Sequence, residues 1–323
     1  MKQIGAIQAD DSILHLAWEG EKLAAAPVSG EVLVLDLSTR TVGDLSGHGV
    51  GNGAPAWFGG HLATCGLDGR VRWNGRILHA GRGMIESLKT SPDGALLAAG
   101  QGKRLLVFDR HGEPHDVLSD LPAAIADFAW NPAAPGQVAV AGAGGARMWQ
   151  LGDTDPFARF DWGGASLIVR WSPCGRWLAT GDQTPSVHVY DFTRDFPLHI
   201  QGFETKVRAM AFSADGKQLA TGGSPTVTIW PCTGTKGPEG ATPIQLDGHD
   251  GDVSALAYSP ASGRLASGDG TGVVLVFTFD GDRVLRKRLR RDAGIAALSW
   301  HPDKDWLGVG LDNGEVSVLS LDS

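Results

Sequence analysis

The sequence predicts an all-β protein, a single closed β-propeller of four-stranded blades, and three observations carry that expectation. A similar unit recurs along the whole chain. It consists of short apolar segments separated by Gly, Pro and Asp turns, and no segment shows a helical stripe. An aromatic or equivalent residue closing the first segment marks the register at Trp18, Trp57, Thr90, Trp130, Trp171, Phe212, Tyr258 and Trp300. Recurrence at roughly 40–45 residues is the signature of four-stranded propeller blades.

Eight marks predict eight blades, over about 10–46, 47–82, 83–120, 121–162, 163–202, 203–246, 247–291 and 292–323. Residues 246–277 are the clearest copy: a Gly-His turn, an apolar segment ending in Tyr258-Ser259-Pro260, small residues, a glycine turn and a valine-rich segment. The first turns, such as Ser91-Pro92-Asp93-Gly94 and Ser213-Ala214-Asp215-Gly216, place Pro and Gly where the backbone needs a fixed or a positive φ. Second segments are built of small residues (LATG at 178–181 and 219–222, LASG at 265–268), as close approach between blades requires. The eighth repeat stops after its third segment. Residues 1–9 precede the first repeat and are expected to supply the missing strand, which removes two exposed strand edges. The second repeat is the irregular one, because Pro55 lies inside its first segment; seven blades with an insertion there is the alternative.

Composition narrows the class. A chain of 323 residues with 42% hydrophobic content can bury a core, and its 46 glycines are spread along the repeats. A net charge of -8 argues against general nucleic-acid binding, which depends on neutralising phosphates. Cys65, Cys174 and Cys232 lie in different repeats without CxxC spacing, which favours a reducing compartment. The N-terminal residues lack the apolar run of a signal peptide, and no stretch approaches a transmembrane helix. The expectation is a cytoplasmic, monomeric, single-domain protein with no membrane contact.

The chain resembles the WD40-repeat family over essentially its whole length. Gly47-His48 and Gly248-His249 carry the Gly-His pair, and Phe108-Asp109 and Tyr190-Asp191 carry the aromatic-Asp pair. Trp73, Trp149 and Trp230 keep the tryptophan without the aspartate. The resemblance implies a network of turn His, second-strand Ser or Thr, third-strand aromatic and turn Asp. Repeat 2 offers His48, Thr64, Trp73 and Asp68. Repeat 7 offers His249, Ser267 and Phe277, with Gly270-Thr271-Gly272 where the Asp is expected. Seven blades are usual for the family.

Catalytic signatures are absent: there is no HExxH, GxSxG or GxxxxGK. Gly268-Asp269-Gly270-Thr271-Gly272 lies between two strands and opens no helix, so it is a hairpin turn rather than a phosphate loop. His111, Glu113 and His115 share a loop, yet a zinc site needs three or four converging ligands. No metal and no cofactor is expected. The charge anomaly is 283–291, with six basic residues in nine, where repeat 7 should have its outer strand. Alternation places Arg286, Arg288 and Arg290 on one face, a stripe suited to an acidic partner. The bland reading is charge that blunts an outer edge. The turns around the first strands offer Asp11, His15, Glu86, Asp127, Arg208, Asp252 and Asp269 as further partner-binding candidates. The resulting expectation is a non-catalytic scaffold that binds proteins or peptides through its rim loops. A lactonase- or hydrolase-like propeller enzyme and an accessory to metal handling are the alternatives.

Overall fold

A computed structural model describes residues 1–49, 51–119, 121–194, 196–281 and 283–321. Among these residues every regular element is a β-strand, and no strand pairing is other than antiparallel within the named sheets. The strands form seven hydrogen-bonded sheets, six of four strands and one of six. The expected eight four-stranded sheets thus become seven, and the reason lies in repeats 4 and 5.

The β-segment Gln137–Gln150 is not one extended run, because Leu151 N donates to Gly136 O at 2.9 Å and brings its two ends together. It is a hairpin, turning at Gly144 and Gly145, whose φ values of 85° and 108° suit glycine. A Cβ on Gly145 would lie 2.0 Å from Phe160 O. The next strand, Ala158–Trp171, pairs with that hairpin through its first half and with Trp177–Asp182 through its second. It therefore runs from repeat 4 into repeat 5 without a loop, and one hydrogen-bonded sheet serves both repeats.

By its contacts the chain divides into two compact units, Met1–Ser46 with Val207–Ser323, and Gly47–Lys206. In the first, the eighth repeat (Ile295–Trp300, Trp306–Leu311, Glu315–Ser320) takes its fourth strand from Lys2–Gln8, in the register Lys2↔Ser320 to Gln8↔Glu315. Ile7, Val316 and Val318 are buried together beneath that pairing. In the second unit, repeat 2 opens with a strand of three residues, Ala56–Phe58, directly after Pro55; the opening strands of repeats 3 and 6, Leu88–Thr90 and Met210–Phe212, are as short without a proline. The missing length in repeat 2 is replaced by single bridges from Asn52 to Gly66 and from Ala54 to Ser87.

The register marks have a shared task. Trp18 donates its indole N–H to Ser299 O (3.0 Å), Trp130 to Lys89 O (2.9 Å) and Trp300 to Ala257 O (3.0 Å), each on the first strand of the repeat before it. Thr90, which stands where the aromatic is missing, does the same through its hydroxyl, to Trp57 O at 2.6 Å. Trp171 is the exception: its indole N–H is buried without a partner among the described residues, and the ring stacks on Phe192.

Candidate functional site

Three polar constellations stand out, and burial sorts them. The first is the histidine network. In repeat 7, His249 Nδ1 lies 2.9 Å from Asp269 Oδ2 and Nε2 lies 2.6 Å from Ser267 Oγ. Burial alone would raise the Asp269 carboxyl, but hydrogen bonds from Thr271, Val273 and His249 hold it well below the usual carboxylate range. An ionised Asp269 only accepts, so Nδ1 carries the proton and the neutral ring accepts from the Ser267 hydroxyl. Burial keeps that ring neutral by lowering its pKa, against the pull of Asp269. This corrects two expectations. Asp269, not a residue of Gly270-Thr271-Gly272, is the turn aspartate, and it is fully buried rather than presented to a partner.

Repeat 2 repeats the pattern with His48, Asp68 (2.8 Å) and Thr64 (3.0 Å), although Trp73 donates to Phe58 O instead of joining it. Repeat 5 has a variant in which Asp182 accepts from Ser166, Thr180 and Ser186 and bonds His188, a third-strand residue. The order Ser–His–Asp looks like a nucleophile relay. Ser267 and Asp269 have no exposure, so no substrate carbonyl can reach the hydroxyl. These sets hold turns in place.

The second constellation joins the first strands of repeats 3, 4 and 5. Asp127 receives Lys89 Nζ at 2.5 Å, Arg170 Nη1 at 2.6 Å and Val169 N at 3.0 Å. Lys89 also reaches Phe128 O. Burial would raise the Asp127 carboxyl, but the two cations more than offset it and hold it at about 2. Sequence reasoning singled out Asp127 and missed its partners. The signal was there: Lys89 and Arg170 each stand immediately before a register mark, Thr90 and Trp171.

The third is exposed. The strand Arg283–Arg290 ends its sheet and, among the described residues, pairs only with Val273–Asp280. Alternation works as expected. Arg286 donates to Asp247 O at 2.5 Å, Arg288 to Gly248 O and to Asp250 Oδ2 (2.8 Å), and Arg290 to Asp250 Oδ2 (2.7 Å). On the other face Arg291 binds Glu315 and Ser317, while Leu289 packs into the core of repeats 7 and 8. A Cβ on Gly248 would meet Arg286 Nη1 at 2.3 Å, so this glycine clears space for the row.

The remaining candidates scatter. Asp11 is half-buried and tied to Ser12 N and Ser29 Oγ, both at 2.8 Å, which lower its pKa. His15 is half-buried, whereas Glu86, Arg208 and Asp252 are exposed. Glu86 and Asp127 belong to the unit of residues 47–206, and the others to the first unit. Among the described residues no three His, Cys, Asp or Glu side chains group as a metal site; Glu113 pairs with Arg76, and His115 lies in the strand Pro114–Leu118 rather than in a loop with His111. No helix is long and apolar enough to cross a membrane.

Comparison with known proteins follows the same lines. A family model described as "WD domain, G-beta repeat" matches residues 194–231 and 241–278. Telomerase Cajal body protein 1 of Mus musculus is 25% identical over 152 residues, which covers 45% of this chain and 29% of that protein. This chain thus spans less than a third of that relative's length. Among solved structures, the computationally designed Ika8 protein superposes with a TM-score of 0.83 at 18% identity, covering 99% of this chain and all of that one. A chain of the Mitotic Checkpoint Complex superposes with a TM-score of 0.71 at 15% identity, over 100% of this chain and 95% of its own. These likenesses show a β-propeller fold of antiparallel sheets.

Proposed function

We propose that this chain, a WD40-repeat protein, is a non-catalytic interaction scaffold that docks acidic segments of partner proteins or peptides on the strand Arg283–Arg290. One observation carries the reading. Arg286, Arg288 and Arg290 stand in an exposed row that already holds a carboxylate, that of Asp250, while the Ser, His and Asp sets that imitate catalytic ones are buried. Each guanidinium has five donors, and Asp250 together with two backbone carbonyls uses only some of them. A preformed sheet edge loses little entropy when a partner arrives. The likeness to a chain of the Mitotic Checkpoint Complex, a protein assembly by its title, supports partner binding.

Arg208 and Asp252 add exposed loop contacts in the unit that carries this strand, Asp11 and His15 contribute there from half-buried positions, and Glu86 is an exposed loop contact of the other unit by itself. Asp127 and Asp269 act from inside by fixing the strands and turns that carry those loops. For the chain as a whole we favour a single propeller domain, closed through the N-terminal strand and monomeric in the cytoplasm. Its eight blades count the six-stranded sheet twice, since repeats 4 and 5 each contribute four strand segments.

The test is affinity purification of the wild type and of an R286E/R288E/R290E variant from the same cells. Exposed ion pairs contribute at most about 1 kcal/mol each, so the variant should keep its circular dichroism and melt close to the wild type. It should lose its acidic partners. An unchanged partner set on the folded variant overturns the reading.

A further inference from the structure

Repeat 4 departs from its neighbours at the third-strand tryptophan. In repeat 6, Trp230 donates its indole N–H to the Thr221 hydroxyl at 3.0 Å. Aligning Trp149 with Trp230 puts Val140 at the Thr221 position, and the turn at 121–124 (Leu-Pro-Ala-Ala) holds no histidine. Trp149 is only 4% exposed, yet its Nε1 has no acceptor among the described residues and is not sealed from solvent. The ring is instead one wall of a groove of about 580 Å³.

The same groove carries a second imbalance. Arg147 lies two residues before Trp149 and so faces the same side of its strand. The register sets Arg147 directly opposite Arg159, and both line the groove. Like charges facing each other across a ladder repel. Each has one exposed carboxylate to offset this, Asp161 at 2.8 Å from Arg147 and Asp155 at 3.9 Å from Arg159. Two carboxylates, Asp116 and Asp153, also lie in the wall, and Asp116 is engaged by Gly152 N at 2.8 Å. Leu118, Leu121 and Pro122 supply the apolar side. Two facing guanidiniums and a free indole donor beside an apolar wall call for an anion with an apolar body.

We propose that this groove binds an organic carboxylate, its oxygens taken by Arg147, Arg159 and the Trp149 N–H, its apolar portion lying over Leu118, Leu121 and Pro122. A volume of about 580 Å³ lies within the range of small-molecule sites. The carboxylate can belong to a free small acid or to the C-terminus of a short peptide. The site does not involve the strand Arg283–Arg290 and stands or falls independently of the scaffold reading.

The full chain labelled with ¹⁵N-tryptophan separates the outcomes, with the Trp149 indole resonance assigned by W149F. Hexanoate, N-acetyl-Leu-Leu and its C-terminal amide are titrated to about 10 mM, the weak-binding range. The acids should move the Trp149 indole signal downfield to saturation, and the amide should not. Hexanoate alone saturating assigns the site to free small acids; N-acetyl-Leu-Leu alone assigns it to peptide termini. Arg147→Gln should weaken binding about ten-fold or more while the other indole signals stay in place. No shift with either acid, an equal shift with the amide, or undiminished affinity in R147Q overturns the proposal. If W149F fails to fold, the R147Q titration decides alone.

Discussion

Asp127 shows how one carboxylate is used here. It lies in a first strand, and it binds the residues immediately before the register marks of the repeats on either side, Lys89 and Arg170. Asp127→Asn leaves Lys89 with a weaker partner in a place where water reaches it only in part. The expected loss is about 2–3 kcal/mol, below the full cost of breaking a buried pair because Arg170 is partly solvated. Its pH dependence has a definite sign. A carboxyl held at about 2 in the folded chain contributes stability above its unfolded value near 4. That contribution is lost as pH falls from roughly 4 towards 2. Urea unfolding of both proteins should therefore show a gap at pH 7 that narrows to about a third by about pH 2.5. A gap independent of pH would mean the cluster is not ionic. At this scale the sequence was only partly legible. His48, Thr64 and Asp68 could be assigned in advance, because the Gly-His pair and the strand register place them. Position in a turn marks Asp269 as a rim candidate in the sequence, and what reveals its burial is the contact with His249, in the preceding turn of the same repeat.

Among elements, two strands that end their sheets are built alike. Lys2–Gln8 pairs with Glu315–Ser320 and Arg283–Arg290 with Val273–Asp280, each through one edge, and the second carries the arginine row. Removing residues 1–8 should expose the edge of the eighth repeat and uncover the apolar contacts of Ile7. A stability loss of about 3 kcal/mol or more is expected, with concentration-dependent association of the bared edge. Denaturant unfolding and sedimentation measure both; an unchanged midpoint and a monomer would contradict the role given to that strand. The missing strand was readable beforehand, since the eighth repeat ends one segment short. The fusion of repeats 4 and 5 was not. Its cause is a connection, 158–171, that stays extended through Gly163-Gly164 and lets one sheet continue into the next. Turn-forming residues there looked like any other turn. Thr90 is the reverse case: an apparent gap in the aromatic pattern that keeps the same interstrand bond through a hydroxyl.

For the molecule as a whole, period and turn chemistry were enough to predict propeller sheets, because each repeat buries its own small-residue second strand. Function was less legible, since binding surfaces depend on which charges remain unspent after folding. Of ten candidate residues, Arg286, Arg288 and Arg290 form the one cluster that is both convergent and exposed, while Asp127 and Asp269 are used internally. Val284, exposed two residues before Arg286 and so on the same face of that strand, offers the most direct probe. A photo-crosslinking residue placed at 284 in the native cell, against a control at Ile77 on another exposed outer strand, should capture acidic proteins at 284 alone. Equal capture at both positions, or none at 284, would contradict the assignment of this chain as a scaffold that works through its basic strand.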